Sequence, residues 1–186
     1  MTKVTIVGIS GVTNGGKTTL STKIIEKFPN SILIRQDDYF REEDDPNHIW
    51  ITLKSGRKHQ NWESLNAVNW DKLKSQVNLT LSELSNTSNP LLIIEGHLIF
   101  NYRNFPFKFD LKFFFTLPKE ECFRRRLDRN YVPADPPGYF DEIVWPMYLK
   151  NKEGMGKSTH DIIYIKGTDD TQQIFNDVLQ RINKTC

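Results

Sequence analysis

The stretch Gly11-Val12-Thr13-Asn14-Gly15-Gly16-Lys17-Thr18 restricts this chain more than any other. It satisfies the pattern G-x-x-x-x-G-K-[ST] in full, and its surroundings suit it. Val4 to Ile9 is an apolar run that reads as a buried strand. After the motif, Leu20, Ile24, Ile25 and Phe28 fall on one helical face until Pro29-Asn30 ends the pattern. A strand, a glycine turn and a helix opening on Lys-Thr together form a cradle for phosphate. Glycines let backbone N–H groups turn inward and approach phosphate oxygens closely. The helix N-terminus adds partial positive charge. Lys17 is suited to bridging β- and γ-phosphates, and the Thr18 hydroxyl to ligating Mg²⁺. The candidate donor-site residues here are Gly11, Asn14, Gly15, Gly16, Lys17, Thr18 and Thr19. The alternative is a glycine turn that holds nothing, and pattern and context together weigh against it.

Further apolar segments at 31–34, 91–96, 111–117 and 161–165 read as strands. Between them lie helical patterns on Leu73, Val77, Leu81 and Leu84, after Pro118, and on Ile174, Val178 and Ile182. Buried strands alternating with helices predict an α/β fold: a mostly parallel sheet covered on both faces, in a single domain spanning 1–186. Residues 41–62 are acidic, then basic, with Pro46 and Gly56, and read as a long exposed loop. Residues 131–140 are proline-rich and irregular.

Composition narrows the partners. A formal net charge of +2 gives no case for a nucleic-acid binder. Cys122 and Cys186 make neither a metal spacing nor a disulfide framework, which fits a reducing compartment. The opening residues read as neither signal nor transit peptide, and no apolar run is long enough to span a bilayer. A cytoplasmic protein is expected.

A phosphate loop by itself says triphosphate and no more. "DPPG" (135–138) and "NKEG" (151–154) imitate guanine-nucleotide motifs, and "GMGKST" (154–159) imitates a second phosphate loop. None follows a strand, and Gly154 stands where a guanine-binding Asp belongs, so all read as coincidences.

In an open parallel sheet, ligands sit beyond the carboxyl ends of the strands. Asp37 and Asp38 follow the second apolar segment, and Glu95 ends the third. Phosphoryl transfer needs carboxylates there, one to orient or deprotonate the attacking hydroxyl and one for the metal shell. The Asp37-Asp38 pair also reads as a helix cap or a solvated turn. Beside the phosphate loop, the functional reading is preferred for at least one of them. Arg124, Arg125, Arg126 and Arg129 fall within two helical turns. They suit a helix C-terminus without any ligand, and equally a lid that neutralises a transferred phosphoryl group. Arg126 and Arg129 are the preferred site residues, with Arg125 left to the surface or the helix dipole. His97 and His160 read as packed or exposed, and His48 and His59 as solvated in the loop. Neither cysteine has a basic partner in sequence that marks it as reactive.

"GISGVTNGGKTTL", "QDDYF", "LLIIEGHLIFNY", "RRRLDRNYVPADPPGYFDEIVWPMYLK" and the Gly167-Thr168 pair together resemble the nicotinamide riboside kinases, in the uridine-kinase-like branch of P-loop kinases. The resemblance is collinear over nearly the whole chain and weakest at 41–62 and 74–90. It implies a five-stranded parallel sheet with an arginine-bearing lid at 124–138 and a substrate-side loop at 41–62. It also implies transfer of the ATP γ-phosphate to the 5′-hydroxyl of nicotinamide riboside, with Mg²⁺. By this resemblance Asp37 acts as base or orients the hydroxyl, Thr18 ligates the metal, and Glu95 lies near the metal and the nucleophile. Arg126 and Glu63 hold the ribose diol, Asp135 is a substrate-side carboxylate, and Tyr131 stacks on the nicotinamide. Arg129, Gly167 and Thr168 match the adenine side. Trp62-Glu63 stands where better-known members have Tyr-Asp, and Trp62 also reads as an ordinary packing residue. A pyridinium ring suits aromatic faces and nearby carboxylates. A uridine/cytidine kinase, and a nucleotide switch with weak chemistry, are the competing readings.

Overall fold

A computed structural model describes residues 3–185, so Cys186 lies outside the described residues. Five strands form one parallel sheet: β1 (Thr5–Gly11), β2 (Ser31–Arg35), β5 (Leu91–Glu95), β6 (Leu111–Thr116) and β7 (Ile162–Lys166). Their spatial order is β2-β5-β1-β6-β7, which leaves β1 in the centre. Every residue of β1 and β5 is buried, which explains why these segments read as continuous apolar runs rather than alternating ones.

Alternation within the strands divides the core. Val7, Ile9, Phe113 and Phe115 pack with Leu20 and Ile24 of α1 (Lys17–Lys27) and with Ile174, Val178 and Ile182 of α5 (Thr171–Thr185). Ile6, Leu92, Ile94 and Phe114 face the other way, against Leu73 and Val77 of α2 (Trp70–Leu84) and Met155 of α4 (Trp145–Gly156). The Asn69 side chain caps α2 by accepting from the Lys72 amide at 3.1 Å. α3 (Lys119–Leu127) begins after Pro118, with Glu120 and Glu121 in its first turn.

Two elements were not anticipated. A π-type turn, Phe140–Val144, runs into α4, with Pro146 in the first turn of that helix. "NKEG" lies inside this helix and "GMGKST" at its end, so neither is built like a phosphate loop. Within 41–62, β3 (Trp50–Thr52) and β4 (Lys58–Gln60) pair as an antiparallel hairpin. Most of residues 41–58 are exposed, as expected, but the expectation of solvated histidines and of a segment without secondary structure is corrected. Leu53 is buried, and His48 and His59 are only 6% and 7% exposed. Aromatic rings cover them: His48 meets Trp62 edge-on at 4.6 Å, and His59 meets Tyr139 at 4.8 Å. The Tyr139 hydroxyl accepts from the Trp62 amide at 3.0 Å and donates to the Gln60 carbonyl at 3.1 Å, tying the hairpin to the segment before α4. Among the described residues, no helix is long and apolar enough to cross a membrane.

Candidate active site

The loop after β1 turns on left-handed residues. Gly16 caps α1 at φ +109°, a conformation that favours glycine, and Asn14 sits at φ +58°. Lys17 lies back along the loop, where its ammonium donates to the carbonyls of Gly11 (3.2 Å) and Val12 (2.8 Å). Burial lowers its pKa, and the carboxylates of Asp37, Glu95 and Glu63 pull it back up. These three acids line one cavity with Lys17.

Register brings Asp37 and Glu95 together. Ile9, Glu95 and Arg35 lie level across three neighbouring strands at their carboxyl ends. Glu95 is buried and takes two hydroxyl donors from α1. Thr18 Oγ1 donates to Oε1 at 2.5 Å and Ser21 Oγ to Oε2 at 2.6 Å. Ser21 was missed in the sequence, although its position one turn beyond Thr18 puts it on the same helix face. Asp37 sits in a short 3₁₀ turn (Gln36–Tyr39) directly after β2, exposed on the wall of the same cavity. Asp38 is exposed too and does not line it.

That cavity measures about 470 Å³ and joins the phosphate loop to the other expected substrate residues. Trp62, Glu63, Arg126, Tyr131 and Asp135 all line it, together with Arg129 and His97. Arg126 is 8% exposed and grips Asp135 with two bonds, at 2.6 and 3.1 Å. A third bond reaches the Thr13 hydroxyl at 3.2 Å, and the guanidinium lies 4.2 Å from the centre of the Tyr131 ring. The Tyr131 hydroxyl meets the Asn14 amide group at 3.3 Å. α3 and the segment after it are thus fastened to the phosphate loop through the buried Arg126 and through Tyr131. Trp62 packs edge-on against Phe40 at 5.5 Å, so it serves the hairpin and lines the cavity at once.

A second cleft, about 270 Å³, opens on the other side of the loop between Gly15, Thr19, Arg125, Gly167 and Thr168. Gly167 approaches the Gly15 carbonyl so closely that a Cβ there would collide with it. Arg125 corrects the expectation of a surface or dipole residue. It donates to the carbonyls of Asn14 (3.2 Å) and Gly167 (3.0 Å), pinning the β7–α5 turn to the phosphate loop. Glu121 holds it from below at 2.6 Å, and hydrogen bonds from Arg124 and Arg125 keep the Glu121 carboxyl down at about 2. Arg129 is exposed and lines the first cavity, whereas Arg125 occupies the Gly167 side.

Cys122 is a buried free thiol whose Sγ contacts the Thr13 carbonyl, and burial pushes it up to about 11, an inert residue. His160 is exposed and does not line either cavity.

A phosphate loop, acids at the carboxyl ends of neighbouring strands and an arginine-bearing helix folded over them define a P-loop kinase of small molecules. Thymidylate kinase from Candida albicans shares the fold, with a TM-score of 0.58 at 14% identity over 98% of this chain and 92% of that one. No protein-family model matches the chain. Among curated proteins it is 40% identical to nicotinamide riboside kinase 1 of Rattus norvegicus, over 98% of this chain and 97% of the relative. It is 30% identical to uridine kinase of Borrelia duttonii, over 68% of each chain. The chain belongs to the nicotinamide riboside kinase family.

Proposed function

We propose that this kinase transfers the γ-phosphate of ATP to the 5′-hydroxyl of nicotinamide riboside, and also of nicotinic acid riboside, forming the mononucleotide used for NAD synthesis. One observation carries the reading: the phosphate loop and a cluster of Trp62, Tyr131, Glu63 and Asp135 line a single cavity. Aromatic faces and carboxylates are the chemistry a cationic pyridinium selects.

Asp37 accepts the proton of the 5′-hydroxyl as that oxygen attacks the γ-phosphorus; the bond to the β-phosphate oxygen breaks and ADP leaves. Lys17, in the charge field of Asp37 and Glu95, moves off the loop carbonyls onto the phosphates. Thr18 and Glu95 offer hard oxygen donors side by side, which fits Mg²⁺. That ion, when bound, neutralises charge on the phosphates. Arg126 and Glu63 hold the ribose diol. Trp62 and Tyr131 take the base. Gly167 and Thr168 serve the adenine nucleotide, with Arg125 bracing the turn, while Arg129, matched by the resemblance to the adenine side, reaches the phosphates from the first cavity. Residues 124–138 act as the lid that excludes water, and 41–62 form the substrate-side wall. The free thiol of Cys122 suits a cytosolic setting.

The test is product analysis. Incubation with Mg-ATP and nicotinamide riboside should yield nicotinamide mononucleotide, identified by mass and by its phosphorus resonance. ADP release without a phosphorylated riboside would contradict the proposal.

A further inference from the structure

His97 lies two residues beyond Glu95 and lines the cavity beside Glu63. The tautomer of its ring follows from its neighbours. The Leu98 backbone N–H can only donate, and it donates to Gln36 Oε1 at 2.9 Å. That fixes the Gln36 side-chain amide, so Gln36 Nε2 is the group facing His97 Nδ1 at 3.0 Å. An amide nitrogen donates, so His97 Nδ1 accepts. The neutral ring therefore carries its proton on Nε2. Gly96 makes room for this arrangement, since a Cβ there would run into the Gln36 side chain.

The Nε2–H is buried and makes no well-formed hydrogen bond among the described residues, although the Trp62 backbone carbonyl also lies toward the ring. A buried unsatisfied donor is costly, and such groups collect where function requires them. The carboxylate facing it is that of Glu63, with Oε2 at 3.6 Å, a few tenths of an ångström beyond a hydrogen bond and a stronger acceptor than a carbonyl. The Glu63 backbone is already fixed on both sides. Its amide donates to Asn61 Oδ1 at 3.2 Å, and its carbonyl accepts from Asn151 at 3.1 Å. Closing the gap is therefore left to the side-chain torsions. Site hydrogen bonds that are long without substrate commonly tighten when it binds.

We infer that His97 is a positioning residue: with its tautomer set by Gln36, it donates Nε2–H to Glu63 and aims that carboxylate at the sugar of the substrate. This rests on the reading of Glu63 as the carboxylate that holds the ribose diol. One Glu63 oxygen is anchored by His97, and the other is left to accept from the substrate. Gln36 immediately precedes Asp37, so one 3₁₀ turn carries the base and sets the second carboxylate.

A double-mutant cycle tests the inference, using His97→Phe, Glu63→Gln and the double variant, assayed with nicotinamide riboside and Mg-ATP. His97→Phe is expected to raise KM for the riboside about tenfold while KM for ATP stays unchanged, as for loss of a hydrogen bond to a charged group. His97→Gln, whose amide can still donate, should recover most of the loss. Glu63→Gln keeps an acceptor but removes its charge, so on that background His97→Phe should cost clearly less than tenfold. If Glu63→Gln raises the riboside KM but His97→Phe does not, or if the two effects add, His97 acts apart from Glu63 and the inference falls while the reading of Glu63 stands. If Glu63→Gln leaves KM unchanged, that reading fails and takes the inference with it. Long-range proton–nitrogen correlation spectra of the unaltered, ¹⁵N-labelled protein give a check independent of activity. A protonated Nε2 with a bare Nδ1 is expected, and the opposite tautomer would overturn the inference.

Discussion

Thr18 and Glu95 meet hydroxyl to carboxylate at 2.5 Å, joining the first turn of α1 to the carboxyl end of β5. Ser21 completes the arrangement from the next turn of the helix at 2.6 Å. Both Glu95 oxygens are thereby held by neutral donors on one rigid element, with the phosphate loop directly before it. Such support fixes where a metal or a phosphate oxygen can sit.

Ser21→Ala removes a buried donor and leaves one Glu95 oxygen unpaired. Urea unfolding should show a loss of about 1–3 kcal/mol. The Mg²⁺ concentration needed for half-maximal rate should also rise. Wild-type stability together with unchanged Mg²⁺ dependence would show that the Ser21–Glu95 bond is dispensable.

Asp37→Ala separates chemistry from donor binding. Asp37 lines the cavity but makes none of the phosphate-loop contacts, so ATP affinity measured by calorimetry should stay within about twofold. The turnover number should fall by about a hundredfold or more, the usual worth of a positioned base. Transfer near the wild-type rate would remove Asp37 from that role.

Arg125→Lys tests the brace between the loop and the β7–α5 turn. The guanidinium spans two carbonyls, on Asn14 and Gly167, and a lysine ammonium is a compact point charge without that fork. KM for ATP should rise about tenfold, with KM for the riboside little changed. An equal rise in both would mean that the substitution disturbs the whole lid.

The hairpin makes stability depend on pH. Burial lowers the pKa of His59 below its ordinary value of about 6.5. The folded state then binds fewer protons than the unfolded state in the window just below that value. Its contribution is complete above pH 6.5 and is lost as pH falls toward the folded pKa. Unfolding free energy should be lower at about pH 5.5 than at about pH 7.5, and His59→Gln should shrink the difference. A stability that rises on acidification would contradict the burial of this ring.

Much of this was legible in sequence because local pattern and tertiary role agree. The strand–glycine–helix context of Gly11–Thr18, the apolar runs and the acids at strand ends all point one way, and the sheet brings Asp37 and Glu95 to the same cavity. The hairpin was not legible, because β3 and β4 are only three residues each, and the rings that cover His48 and His59, Trp62 and Tyr139, lie outside both strands. Arg125 looked like a helix-dipole residue because its partners are backbone carbonyls, which leave no trace in residue type. α4 was hidden by the proline-rich approach to it and by Pro146, although a proline in the first turn of a helix is a recognised start signal. Gln36 and His97 are joined only through the β2–β5 pairing, across 61 residues of sequence.

The central claim is that the base pocket reads a pyridinium riboside. A coupled ADP-release assay with Mg-ATP, comparing nicotinamide riboside, nicotinic acid riboside, uridine and cytidine, tests it most directly. The account expects kcat/KM for the pyridine ribosides to exceed that for uridine and cytidine by about a hundredfold or more. An equal or greater value for uridine or cytidine would contradict it, and would turn attention to Trp62 and Glu63 as the residues whose chemistry had been misread.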